Sequence, residues 1–187
     1  MASLNRPALQ WQGDPNDDDP YGWFDCTCFS AAMGGDAVSG GAIVPTGGDI
    51  RRLSNETTLD PKDPGLNLDQ VRAACARFGF DYLDRQGKEW ASVVADLRQR
   101  RWVVGQVWYP KMGDYRVQKP GNFGHAIGLM GISTTKTNTL VFDPLAHDAR
   151  WVPLSVVREA MEEWGRRTGM PGKVRFLSTL SIIPTEV

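Results

Sequence analysis

Three cysteines and two histidines are the residues of this chain best suited to covalent and proton-transfer chemistry. Cys26 and Cys28 stand where a loop turns into a helix. A thiol at a helix N-terminus feels the positive end of the macrodipole, which favours the thiolate, the form that attacks. Cys75 falls on the apolar stripe Leu68, Val71, Ala74, Cys75, Phe78 and reads as a buried core residue. His125 opens an apolar stretch, and Gly121, Gly124, Gly128 and Gly131 around it leave room for something to approach. His147 lies in Pro144-Leu-Ala-His-Asp148 and reads as a surface-loop residue. A cysteine hydrolase needs an imidazole within hydrogen-bond reach of its thiol and a third group to orient the ring. In chain order the candidates are Cys26 or Cys28, then His125, then Asp143, which ends a strand just before Pro144. Cys26, Cys28, His125 and His147 also contain the ligand types of a zinc site, but Cys-x-Cys lacks the longer spacer usual there. No metal and no cofactor is expected.

These residues need elements to bring them together. A helix is predicted to start near Asp25 or Cys26 and to run through Phe29, Ala31, Ala32 and Met33, with Gly34 and Gly35 weakening its middle or ending it. Residues 40–65, rich in Gly, Pro, Asp and Thr, read mostly as loop. Asn67 is placed to cap a helix over 68–78, closed by Gly79. Trp90, Val93, Val94 and Leu97 form a second amphipathic stripe, and Val157, Ala160, Met161 and Trp164 a third. Strands are predicted at 102–109, 125–132, 139–142 and 173–182, with a turn at 136–138 and a polar connector at 111–122. Helices come first and an antiparallel sheet second, so the fold class is α+β. The length suits a single domain, 1–187, with 1–25 as an irregular N-terminal arm. The acidic run at 14–20 within that arm lacks the ligand spacing of a calcium loop and reads as a solvated turn.

Composition removes several function classes. Lys plus Arg is 21 against 22 Asp plus Glu, a net charge of -1, so no basic surplus exists to meet nucleic-acid phosphates. No apolar run long enough to insert in a membrane occurs. The opening residues lack the apolar core of a secretory signal, so a cytoplasmic or virion-associated location is expected.

The segment Asp25-Cys-Thr-Cys-Phe-Ser-Ala-Ala-Met33 resembles the nucleophile segment of papain-like cysteine peptidases of the bacteriocin leader-peptidase type, Cys-Gly-Pro-x-Ser-x-Ala-Met. Cys26, Ser30, Ala32 and Met33 match, while Thr27 and Cys28 replace Gly-Pro. Gly124-His-Ala-Ile-Gly-Leu-Met-Gly131 is similar to that family's His strand. Val141-Phe-Asp-Pro144 is similar to its Asp-Pro strand end, and Trp151-Val-Pro-Leu154 to its closing segment. Order and spacing agree over about residues 10–165. The resemblance implies a papain-like fold, helices packed on an antiparallel sheet, and acyl-enzyme hydrolysis of a peptide or peptidoglycan amide bond. It implies Cys26 as nucleophile, with Cys28 as the alternative because it aligns with papain's Cys-Trp-Ala. It further implies His125 as the base, Asp143 as its orienting acid, and an upstream Gln, either Gln12 or Gln10 with Gln12 preferred, donating to the oxyanion. The Trp- and Gly-rich style adds the expectation of a phage-encoded tail or lysis enzyme with other tail proteins as partners. The competing expectation is a catalytically inactive papain-like module serving as a structural or binding part of a tail or baseplate.

Overall fold

The computed structural model describes residues 4–11, 25–54, 66–117 and 122–185. Gln12, the acidic run at 14–20 and most of the N-terminal arm lie outside the described residues.

The first helix, α1 (Cys26–Ser39), is built from small residues and is buried on all sides from Thr27 to Ala37. A helix surrounded in this way is held by packing rather than by amphipathicity. Gly34 and Gly35 do not end it. A Cβ at Gly34 would lie 2.0 Å from the Tyr82 hydroxyl and 2.6 Å from the Trp102 ring. Without one, both rings reach the helix backbone. Tyr82 donates to the Ala31 carbonyl at 2.9 Å and the Trp102 indole N–H to the Ser30 carbonyl at 2.9 Å. The helix stops instead at Gly40, in the left-handed region at φ 64.

The stretch read as loop contains a second helix, α2 (Gly47–Leu53), opened by a capping box between Thr46 and Asp49. Helix α3 (Leu68–Arg77) opens on a similar box, Asn67 with Gln70. Then come β1 (Tyr82–Asp84), α4 (Trp90–Arg98), β2 (Val103–Trp108) and a 3-10 segment, Tyr109–Tyr115, which takes the last residue of the predicted strand and runs into the predicted polar connector. The chain continues through β3 (Gly124–Ile132), β4 (Asn138–Phe142), β5 (Arg150–Pro153), α5 (Leu154–Arg167) and β6 (Phe176–Thr179). Strands β1 and β5 were not predicted. They have three and four residues and are defined by their partners more than by their own patterns.

The six strands form one antiparallel sheet in the order β1-β6-β2-β3-β4-β5. Side chains along its central strands alternate between two apolar clusters. Trp102, Val104, Ala126, Met130 and Phe142 pack with α1 and α3. Val103, Val107, Ile127, Leu129 and Val141 pack with α4 and α5. The sheet is therefore covered on both faces, and the class is α+β. Register does the rest of the positioning. Pairing of Val107 with His125 and of Gly128 with Phe142 places the start of β3 beside the end of β4. Among the described residues, no helix is long and apolar enough to cross a membrane.

Candidate active site

Cys26 is the first residue of α1 and is half-buried; Cys28, two positions on, is fully buried in the cluster beneath the helix. Burial, with the nearby Asp25 carboxylate, pushes the Cys28 thiol well above its ordinary range. Cys75 is likewise buried, its thiol raised by desolvation, and packs in the same cluster.

Helix α1 is fixed against β3 where this matters, because the Ser30 hydroxyl donates to the Ala126 carbonyl at 3.1 Å. The residue before Ala126 is His125. Its Nε2 lies 2.7 Å from Asp143 Oδ1, and the Cys26 side chain is a near enough neighbour to raise the ring's pKa as well. The line Asp143, His125, Cys26 thus crosses from the end of β4, over the start of β3, to the head of α1.

Asp143 is held from three sides. Oδ1 meets His125 and accepts from the Leu145 amide at 2.9 Å, and Oδ2 accepts from the Tyr109 hydroxyl at 2.8 Å. Burial would raise this acid, but the imidazole and the two other donors keep it below the usual carboxylate range. Tyr109 is the residue that sequence reasoning missed. Its hydroxyl also accepts from the Val117 amide at 2.9 Å, and its ring stands edge-on to His125 with centroids 4.8 Å apart.

Burial disfavours a charged ring at His125. The Asp143 carboxylate and the Cys26 sulfur outweigh it and lift the imidazole from 6.5 to about 10. The folded value is raised, so the imidazolium contributes its stabilisation in full below about 6.5 and loses it as pH rises through about 10. In Asp143→Asn the main raising partner is gone and burial prevails. The ring is then expected to titrate roughly two pH units lower or more, read by NMR of the two histidines. An unchanged His125 titration would remove Asp143 from this role.

The remaining candidates lie elsewhere. His147 is exposed and packs on Trp11, with ring centroids 4.6 Å apart. The Gln10 side chain is engaged at α2, donating to the Pro45 carbonyl at 2.7 Å and accepting from the Gly47 amide at 3.0 Å. Gln12 lies outside the described residues. Among the described residues, no group of three or more His, Cys, Asp or Glu is arranged to hold a metal ion.

No protein-family model matches this chain, and no curated protein sequence matches it. Solved structures do resemble it. A Bacillus anthracis protein assigned as a C39-like peptidase has a TM-score of 0.61 at 14% identity, with 98% of each chain covered. The peptidase domain of Streptococcus ComA, a bi-functional ABC transporter involved in quorum sensing, has a TM-score of 0.57 at 12% identity, covering 94% of this chain and 98% of its own. A double glycine motif protease from an AMS/PCAT transporter, solved with its leader peptide, has a TM-score of 0.55 at 11% identity, covering 98% and 95%. At these identities the likeness is one of fold, and that fold is the papain-like one.

Proposed function

We propose that this chain is a cysteine peptidase or amidase acting on a peptide. The observation that carries the reading is the hydrogen-bonded pair of Asp143 and His125 set beside the half-buried Cys26, whose side chain helps to raise the imidazole. The papain-like fold, shared with peptidases that include one solved with a leader peptide, supports a peptide substrate. In this reading the Cys26 thiolate attacks the scissile carbonyl, forming an S–C bond. The His125 imidazolium gives its proton to the departing amine as the C–N bond breaks. Water then attacks the thioester and loses a proton to His125. The acid product leaves, and the thiolate–imidazolium pair returns. Asp143 holds the imidazole in one tautomer and balances its charge. Helix N-terminal amides at Cys26, with Gln12 as side-chain donor, serve the oxyanion.

The test is alkylation of the native protein across pH, with mass spectrometry locating the adduct, alongside cleavage of free peptides and of peptidoglycan stem peptides. Cys26 is expected to label fast well below pH 8.5, the range of an ordinary thiol, and to lose that rate in His125→Ala. Slow labelling of Cys26, indifferent to His125→Ala, together with no cleavage, would leave a papain-like binding module and no enzyme. Cleavage of stem peptides in preference to free ones would favour a cell-wall substrate of the phage lysis type.

A further inference from the structure

Asp25 occupies the N-cap of α1, a position where an Asp side chain ordinarily accepts from the second or third helical N–H. Thr46 and Asn67 cap α2 and α3 in that way, each within a complete capping box. Asp25 does not: its side chain makes no cap hydrogen bond. It is turned onto α2, where Arg51 grips it with both arms of the guanidinium, Nε to Oδ2 at 2.8 Å and Nη2 to Oδ1. The acid is fully buried and the Arg51 side chain is 4% exposed. Taking two ions out of water is costly, and the pair's attraction is offset by that cost, so such a pair is weak evidence for stability. Its placement, directly before Cys26, calls for another account.

We infer that Arg51 is a positioning residue for the nucleophile: by drawing the Asp25 carboxylate onto α2 it keeps that carboxylate from capping α1, so the first-turn N–H groups stay directed at the reacting sulfur and the oxyanion. This inference rests on Cys26 as the nucleophile. A carboxylate left to cap α1 would take the N–H groups at Thr27 or Cys28 and set a negative charge where a thiolate and an oxyanion must form. The bidentate fork both redirects the group and balances its charge. The charges around the sulfur fit this division. Asp25 and Arg51 pair at the head of α1, His125 and Asp143 pair at the sheet, and Cys28 and Cys75 lie buried in the core. At neighbouring Cys28, Asp25 and Arg51 act in opposite senses, the acid raising the thiol and the guanidinium lowering it.

The experiment uses iodoacetamide labelling of Cys26 across pH in Arg51→Gln, Asp25→Asn and the double variant, with circular dichroism to confirm folding. Arg51→Gln is expected to move the labelling midpoint up by about one pH unit, tenfold in thiolate at a given pH below it. Asp25→Asn is expected to move it down, and the double variant to return it close to the starting value. Opposite shifts with restoration are not produced by a purely structural role, which would move both single variants alike. The neutral double variant also keeps the test readable if Arg51→Gln alone leaves the acid buried and the protein unfolded, because its midpoint must still stand above that of Asp25→Asn. A native protein labelling fast at Cys26, with the midpoint unmoved or moved the same way in the variants, overturns the role of Arg51 alone. A native protein whose Cys26 labels like a free thiol overturns the nucleophile, and the Arg51 role with it.

Discussion

Replacing Cys26 by Ser is expected to abolish peptide hydrolysis, with kcat/KM falling on the order of 10⁴-fold or more, while the unfolding midpoint stays close to that of the parent. The sulfur is half-buried at the head of α1, at the margin of the core cluster, where the isosteric hydroxyl fits. What is lost is the pairing with His125. An imidazole lifted to about 10 is matched to a thiol, and a serine hydroxyl is far too weak an acid to give it a proton in the ground state. Cys28→Ser is expected to show the converse. Its side chain is fully buried among Ala31, Ala32 and Ile50, so a hydroxyl there costs roughly 1–3 kcal/mol of stability, with hydrolysis per folded molecule preserved. Paired measurement of kcat/KM and of a urea midpoint on both variants separates the two thiols. The reversed pattern would make Cys28 the nucleophile.

The second large effect is on the fold. Trp102→Ala is expected to cost about 3–5 kcal/mol. Trp102 is fully buried, and its ring lies flat in two seats made by glycines. A Cβ at Gly128 would come within 2.1 Å of it, and one at Gly34 within 2.6 Å. Those seats have no atoms that could move in to fill the space, so the cavity stays open. The indole N–H also leaves the Ser30 carbonyl, and the ring leaves Phe142, whose centroid is 5.0 Å away. For a protein of this size the thermal midpoint is expected to fall by roughly 10 °C. Trp102→Phe, which keeps most of the apolar area, is expected to recover more than half of that loss in the same melting experiment. A fall of a degree or two for Trp102→Ala would mean that α1 closes onto the sheet without the ring.

Most of the sheet and three of the helices were legible because their periods are local. The β-branched and aromatic run from Trp102 to Tyr109 and the apolar run from His125 to Ile132 are visible in the chain itself, as is the stripe from Val157 to Trp164. Other features are decided across space. The glycine pair in α1 reads as a helix breaker until Tyr82 and Trp102 arrive from other elements to occupy the gap. Helix α2 begins with two glycines, and its signal was the capping box of Thr46 and Asp49 rather than any stripe. The choice between Cys26 and Cys28 turns on helix phase. Two residues turn the helix by about 200°, so only one of the two can face His125, and neighbouring residues do not reveal which. The approach of His125 to Asp143 follows from a hairpin whose strands were both predicted, while the Tyr109 contact spans 34 residues and depends on β2 lying beside β3. A tyrosine ending a strand that runs antiparallel to a histidine-led strand was the available signal.

Strand β6, the last along the chain, does not sit at the margin of the sheet. It is inserted between β1 and β2. Docking of α1 onto β3 likewise rests on a hydrogen bond spanning 96 residues. A growing polypeptide therefore cannot seal its sheet, or bring the sulfur to its imidazole, by folding each stretch as it leaves the ribosome. Closure waits for the late strand, at the slow pace typical of distant pairings. On the proposed function, the pairing of Cys26 with His125 therefore follows the synthesis of β3 and β4 rather than accompanying that of α1.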